Sequence, residues 1–124
     1  MEDAGGGPPA PTDRRYDNDA VWRATERLVD AGLTAERLGY DSYWLTEHHF
    51  QHEGYEVVPN GLMLGAVIAE RTERIRLGMA FNIVPQWNPL RFAEDFATLH
   101  NFSGGRAILG VGRGTVPREA ETLG

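Results

Sequence analysis

The sequence predicts an α/β fold with a parallel sheet, and three observations carry that reading. Helical and strand-like segments alternate strictly from Asn18 onward, in the order helix, strand, helix, strand, helix, strand. Consecutive strands separated by helices run parallel and are joined by right-handed crossovers. The second and third strands, 75–84 and 107–111, are nearly unbroken apolar runs, as expected of strands covered on both faces.

Each element has a local reason. Residues 1–18 are rich in Gly, Pro and charge, cannot bury enough apolar surface to offset chain entropy, and read as a disordered leader before a domain at 19–124. Val21, Ala24, Leu28, Ala31, Ala35 and Leu38 step by three and four, the stripe of an amphipathic helix, with Asn18 as N-cap and Gly39 just past its end. Gly32 weakens its middle. Ser42–Thr46 is short and aromatic, hence a strand, and a loop follows over 47–59. Asn60 caps a second apolar helix ending near Thr72, and Ile75 to Val84 forms the second strand. Asn88-Pro89 starts a third helix that turns Phe92, Phe96 and Leu99 inward and stops at Ser103-Gly104-Gly105. The third strand, Ala107 to Val111, runs into the glycine-rich Gly110-Val-Gly-Arg-Gly114.

Composition narrows the function. The 124 residues are 41% hydrophobic and 24% charged, ordinary for one soluble domain. With no cysteine there is no disulfide framework and no thiol nucleophile. A net charge of −6 argues against non-specific nucleic-acid binding. No apolar run approaches the ~20 residues of a membrane span, and the N-terminus lacks a secretory signal, so the expected location is cytoplasmic.

In parallel α/β folds the chemistry gathers at the carboxyl ends of the strands. There the chain places Glu47-His48-His49-Phe50, then Asn82 with Pro85-Gln86-Trp87 beyond, then Gly112-Arg113-Gly114. His48 is the candidate for proton transfer, because an imidazole works in either direction near neutral pH; hydrogen bonding that caps a loop is the competing role. Glu47 orients the imidazole, binds a hydroxyl or pairs with a charge on a neighbouring strand. Arg113 has the planar fork that suits a phosphate, in a loop whose glycines let backbone approach a ligand, and a structural role is equally open. A metal at His48, His49, His52 and Glu53 is disfavoured: adjacent residues of an extended segment face opposite ways. A dinucleotide fingerprint fails, since its third glycine falls on Thr115. Tyr43, Trp44, Phe81 and Trp87 suit either an apolar pocket or core packing.

Three stretches together resemble the bacterial luciferase-like family. They are Gly39-Tyr-Asp-Ser-Tyr-Trp-Leu-Thr-Glu-His-His-Phe50, Leu77-Gly-Met-Ala-Phe-Asn-Ile-Val-Pro85 followed by Asn88-Pro-Leu-Arg-Phe-Ala-Glu94, and Ser103-Gly-Gly-Arg-Ala-Ile-Leu-Gly-Val-Gly-Arg-Gly114. The resemblance implies a (β/α)₈ barrel binding reduced FMN, or a deazaflavin in some branches. His48 matches the catalytic imidazole and Glu47 the acid before it. Ala80-Phe81 match a position that often holds a cis peptide supporting the flavin ring. Asn82 lies near the flavin edge, Gly112 near its reactive face, and Arg113 matches the arginine that pairs with the phosphate. The implied activity is a monooxygenase inserting one oxygen atom into a small organic substrate, fed by a separate flavin reductase and working as a homodimer or heterodimer. A deazaflavin-dependent hydride-transferring dehydrogenase is the alternative. The family's first strand has no counterpart in residues 1–18, and 124 residues make about half a barrel. The expected architecture is therefore an incomplete barrel lacking strand one and its C-terminal half, with an inactive truncated copy as the remaining alternative.

Overall fold

The computed structural model describes residues 16–50 and 57–123. Most of the expected leader, residues 1–15, lies outside them, as do His52 and Glu53. The helix α1 spans Asn18–Arg37, and the cap is Asp17 rather than Asn18: its carboxylate accepts the Ala20 N–H at 2.6 Å. The chain leaves α1 through Gly39 at φ +84°, where the Tyr40 N–H reaches back to the Ala35 carbonyl, a left-handed turn that favours glycine. The strand β1 (Ser42–Leu45) follows. Next is α2 (Gly61–Glu70), whose cap Asn60 accepts the Met63 N–H as the sequence predicts. Then come β2 (Arg76–Met79), β3 (Asn82–Ile83) and a 3-10 turn at Val84–Gln86. Asn88 caps α3 (Pro89–Phe102) by accepting the Leu90 and Arg91 N–H groups. The chain continues through β4 (Ala107–Ile108), β5 (Val111–Gly112) and α4 (Pro117–Leu123).

All observed ladders are parallel, β1-β2-β4 in one sheet and β3-β5 in the other. The fold class is as predicted, and the two long strands are the correction: each is broken. Gly78 pairs with Ile108 and Asn82 with Val111, so three residues, Met79 to Phe81, stand opposite two, Leu109 and Gly110. That extra residue is a bulge, and the Ala80–Phe81 peptide within it is cis. Gly110 crosses the break so closely that a Cβ there would lie 1.6 Å from the Met79 carbonyl oxygen. The close approach a glycine permits at this point is to the chain's own backbone.

The core lies on one side of the β1-β2-β4 sheet, where Leu45, Leu77, Met79 and Ala107 meet Val29, Leu62, Leu64, Ile68, Phe92 and Leu99 from the helices. Residues of α1 that enter it agree with the predicted stripe in part, with Leu28 and Ala35 packed against the core. Val29 and Gly32 are buried, whereas Ala31 and Leu38 face outward. The reason is Gly32, where a Cβ would stand 3.1 Å from Ile68 and 3.2 Å from Tyr43. Its missing side chain brings α1 against β1 and α2, and Phe96 on α3 is only partly buried. Tyr43 serves packing: its hydroxyl donates to the Leu28 carbonyl, and burial raises its pKa. Opposite the helices, Trp44 lies over Gly78 and stays 46% exposed.

Two side chains pin the helix ends to the sheet. The Glu36 carboxylate accepts the N–H groups of Glu73, Arg74 and Ile75 at 2.8, 3.1 and 2.9 Å, fixing the turn into β2. Burial works against its charge, but those N–H groups and the Arg74 guanidinium hold its pKa below the usual carboxylate value. Arg106, just before β4, gathers the carbonyls at the ends of α2 and α3.

Candidate functional site

A cavity of about 360 Å³ opens at the carboxyl ends of the strands, lined in part by Glu47, His48, Ala80, Phe81, Gly112 and Arg113. Six of the seven candidate residues thus share one pocket. Asn82 is the seventh and is placed otherwise. It is 1% exposed, and both its backbone N–H and its Nδ2 donate to the Gly110 carbonyl, at 2.9 and 3.2 Å. Its side chain locks the bulge from behind the pocket. Gly112 is packed against Phe81, whose own ring remains 55% exposed. Arg113 is exposed at the cavity margin. Trp87 packs against Phe92 with the rings tilted by 56° and 5.6 Å between centroids.

The histidine pair departs from the simplest reading. Glu47 is buried at 3% exposure, and its Oε1 accepts from His49 Nε2 at 3.1 Å and from the Trp87 indole at 2.9 Å. Its orienting contact is therefore to His49. Residues i and i+2 of an extended segment share a face, while i and i+1 do not. His48 instead meets Glu119, from α4, at 3.4 Å between Nδ1 and Oε1. The same Glu119 oxygen accepts the His49 backbone N–H at 2.8 Å, and the His48 N–H donates to the Val58 carbonyl at 3.2 Å. The sequence reading missed both α4 and Glu119. Pro117 at a helix start followed by an acid in the first turn was the available signal. Among the described residues no three His, Asp or Glu converge as a metal site.

A parallel sheet that gathers an imidazole, a bulge and a glycine–arginine loop at its carboxyl edge has the build of a β/α-barrel enzyme's functional face. Comparison with known proteins fixes the family: residues 6–124 match the model of the luciferase-like monooxygenases, and the chain belongs to that family. It is 38% identical over 110 residues to limonene 1,2-monooxygenase of Rhodococcus erythropolis, covering 89% of this chain and 28% of that one. It is likewise 38% identical over 101 residues to the F420-dependent glucose-6-phosphate dehydrogenase of Amycolatopsis mediterranei, covering 78% and 30%. The fold matches the oxygenating constituent of 3,6-diketocamphane monooxygenase from Pseudomonas putida, solved with FMN. The TM-score is 0.78 and the identity 24%, over 89% of this chain and 29% of that one. The chain thus spans about three tenths of the length of the relatives it matches, consistent with part of a barrel. No described helix is long and apolar enough to cross a membrane.

Proposed function

We propose that the chain forms the flavin-facing part of a monooxygenase that uses reduced FMN and molecular oxygen to insert one oxygen atom into a small organic substrate. The observation that carries this reading is the single pocket shared by His48, Phe81, Gly112 and Arg113. Its chemistry suits FMN: the exposed Phe81 ring and Ala80 offer an apolar face to a flat ring, and the Arg113 guanidinium offers a bidentate partner to a phosphate. Reduced flavin, when bound, supplies the electrons that activate oxygen. The chain's own share is to bind, to exclude water and to move a proton. Arg113 holds the anionic end, while Ala80, Phe81 and Ile83 keep the ring's surroundings apolar. His48 takes or gives the proton, and Glu47 holds His49 and Trp87 in place beside it. On this reading a separate flavin reductase supplies the reduced flavin in the cytoplasm, and the barrel works as a dimer.

Anaerobic titration of the protein with reduced FMN, followed by oxygen uptake in the presence of hydrophobic organic substrates, tests the proposal. Binding of neither reduced FMN nor a reduced deazaflavin refutes it. A second reading, hydride transfer with a deazaflavin, draws support from the likeness to the F420-dependent dehydrogenase. It predicts deazaflavin reduction without oxygen uptake.

A further inference from the structure

Two buried carboxylates from distant parts of the chain converge on the histidine pair. Glu47 is engaged by the His49 ring and the Trp87 indole. Glu119, 1% exposed and 71 positions beyond His48, lies 3.4 Å from His48 Nδ1. Its Oε1 is held by the His49 backbone N–H at 2.8 Å, so the acceptor is fixed to the same segment that carries the ring. The first turn of α4 presents it, with the Glu119 N–H bonded to the Val116 carbonyl. His48 and Glu119 both line the cavity that holds Arg113, and among the described residues Glu47 is the other titratable group that lines it.

A carboxylate only accepts, so a neutral His48 facing Glu119 through Nδ1 carries its proton there and keeps its lone pair on Nε2. We propose that Glu119 is a positioning residue for His48, fixing its tautomer and ring orientation so that Nε2 is the proton-accepting nitrogen of the pocket. The role of that nitrogen in turnover rests on the flavin reading; the tautomer is a property of this chain alone.

Long-range ¹⁵N NMR of the labelled protein, at a pH where imidazole is neutral, reads the tautomer without any flavin. The expected wild-type pattern is Nδ1–H, and Nε2–H in the wild type overturns the inference. Glu119→Gln is expected to shift the pattern toward a mixture while the backbone amide spectrum stays folded. Should that variant unfold, the wild-type pattern still decides. In turnover, Glu119→Gln is expected to lower kcat roughly 100-fold with flavin affinity and KM within about twofold, and to cost nothing further in a His48→Ala background. An equal loss in that background overturns the positioning role. Failure of the wild type to bind any flavin refutes the functional reading but leaves the tautomer result standing.

Discussion

Replacing Arg106 with lysine keeps the charge and removes the fork, which makes it a direct test of how the helices are tied to the sheet. All five guanidinium N–H groups are used. Nε donates to the Ser103 carbonyl at 2.8 Å, and Nη1 to Thr72 Oγ1 and the Ile75 carbonyl at 2.9 and 3.1 Å. Nη2 donates to the Ala69 and Thr72 carbonyls at 2.8 and 3.0 Å. These acceptors lie at the C-terminal ends of α2 and α3 and in the turn into β2, where carbonyls lack the regular i+4 helical partner. An ammonium brings three donors on one nitrogen, so at least two acceptors lose their bond. At about 1 kcal/mol for each bond to a charged donor, discounted for partial exposure, and a few tenths for the helix ends, Arg106→Lys costs about 2–3 kcal/mol. Arg106→Met, which removes all five donors, costs about 4–5 kcal/mol by the same count. For a domain near this size, 1 kcal/mol lowers Tm by ~4–8 °C, so the lysine variant melts ~10–20 °C lower. Urea unfolding followed by far-UV circular dichroism gives the free energy directly. A lysine variant within about 0.5 kcal/mol of wild type at an unchanged m-value refutes the bonding account.

The Glu36 carboxylate, held below its usual pKa by three backbone N–H groups and Arg74, contributes stability that is present above the ordinary carboxylate pKa and lost as pH falls through the lowered one. Glu36→Gln is therefore expected to unfold more easily at neutral pH, by roughly 1 kcal/mol given its exposure, with the difference vanishing in acid; a pH-independent difference contradicts this. His48→Ala is expected to slow turnover by about 10²–10⁴ while flavin affinity stays near wild type, and normal turnover removes His48 from the chemistry. Arg113→Ala is expected to weaken FMN more than riboflavin, because only FMN carries a phosphate, and equal losses by fluorescence titration refute the pairing.

What was legible in the sequence was whatever has a short-range cause. The caps at Asn60 and Asn88 and the glycine exit of α1 were read from a few neighbouring residues, and so was the alternation that makes the sheet parallel. The bulge was hidden because it is a mismatch in count between two strands about 30 residues apart, each an unremarkable apolar run by itself. Gly110 was its one trace in the residues themselves, where a glycine reads as readily as room for a ligand, and the cis Ala80–Phe81 peptide was anticipated through the family resemblance alone. Gly32 misled in the opposite way. A tally of apolar side chains finds Leu28 and Ala35, which do pack against the core, but passes over Gly32, a buried position with no side chain to count.

The histidine pair was half legible, and the missing half follows from the same rule that gives the rest. Neighbours on an extended segment face opposite ways, which separates His48 from His49 and separates Glu47 from His48 as well. The acid two positions from His49 shares its face and meets it at 3.1 Å. Any acid for His48 therefore has to arrive from another element. The chain returns to the strand ends through the Gly112-Arg113-Gly114 loop, and Pro117 starts a helix there whose first turn carries Glu119. Period-two geometry thus separates Glu47 from His48, while only the folded path of the chain shows that Glu119 faces it. That path also joins the two ends of the pocket: the seven residues from Arg113 to Glu119 connect the candidate phosphate partner to the carboxylate that faces His48.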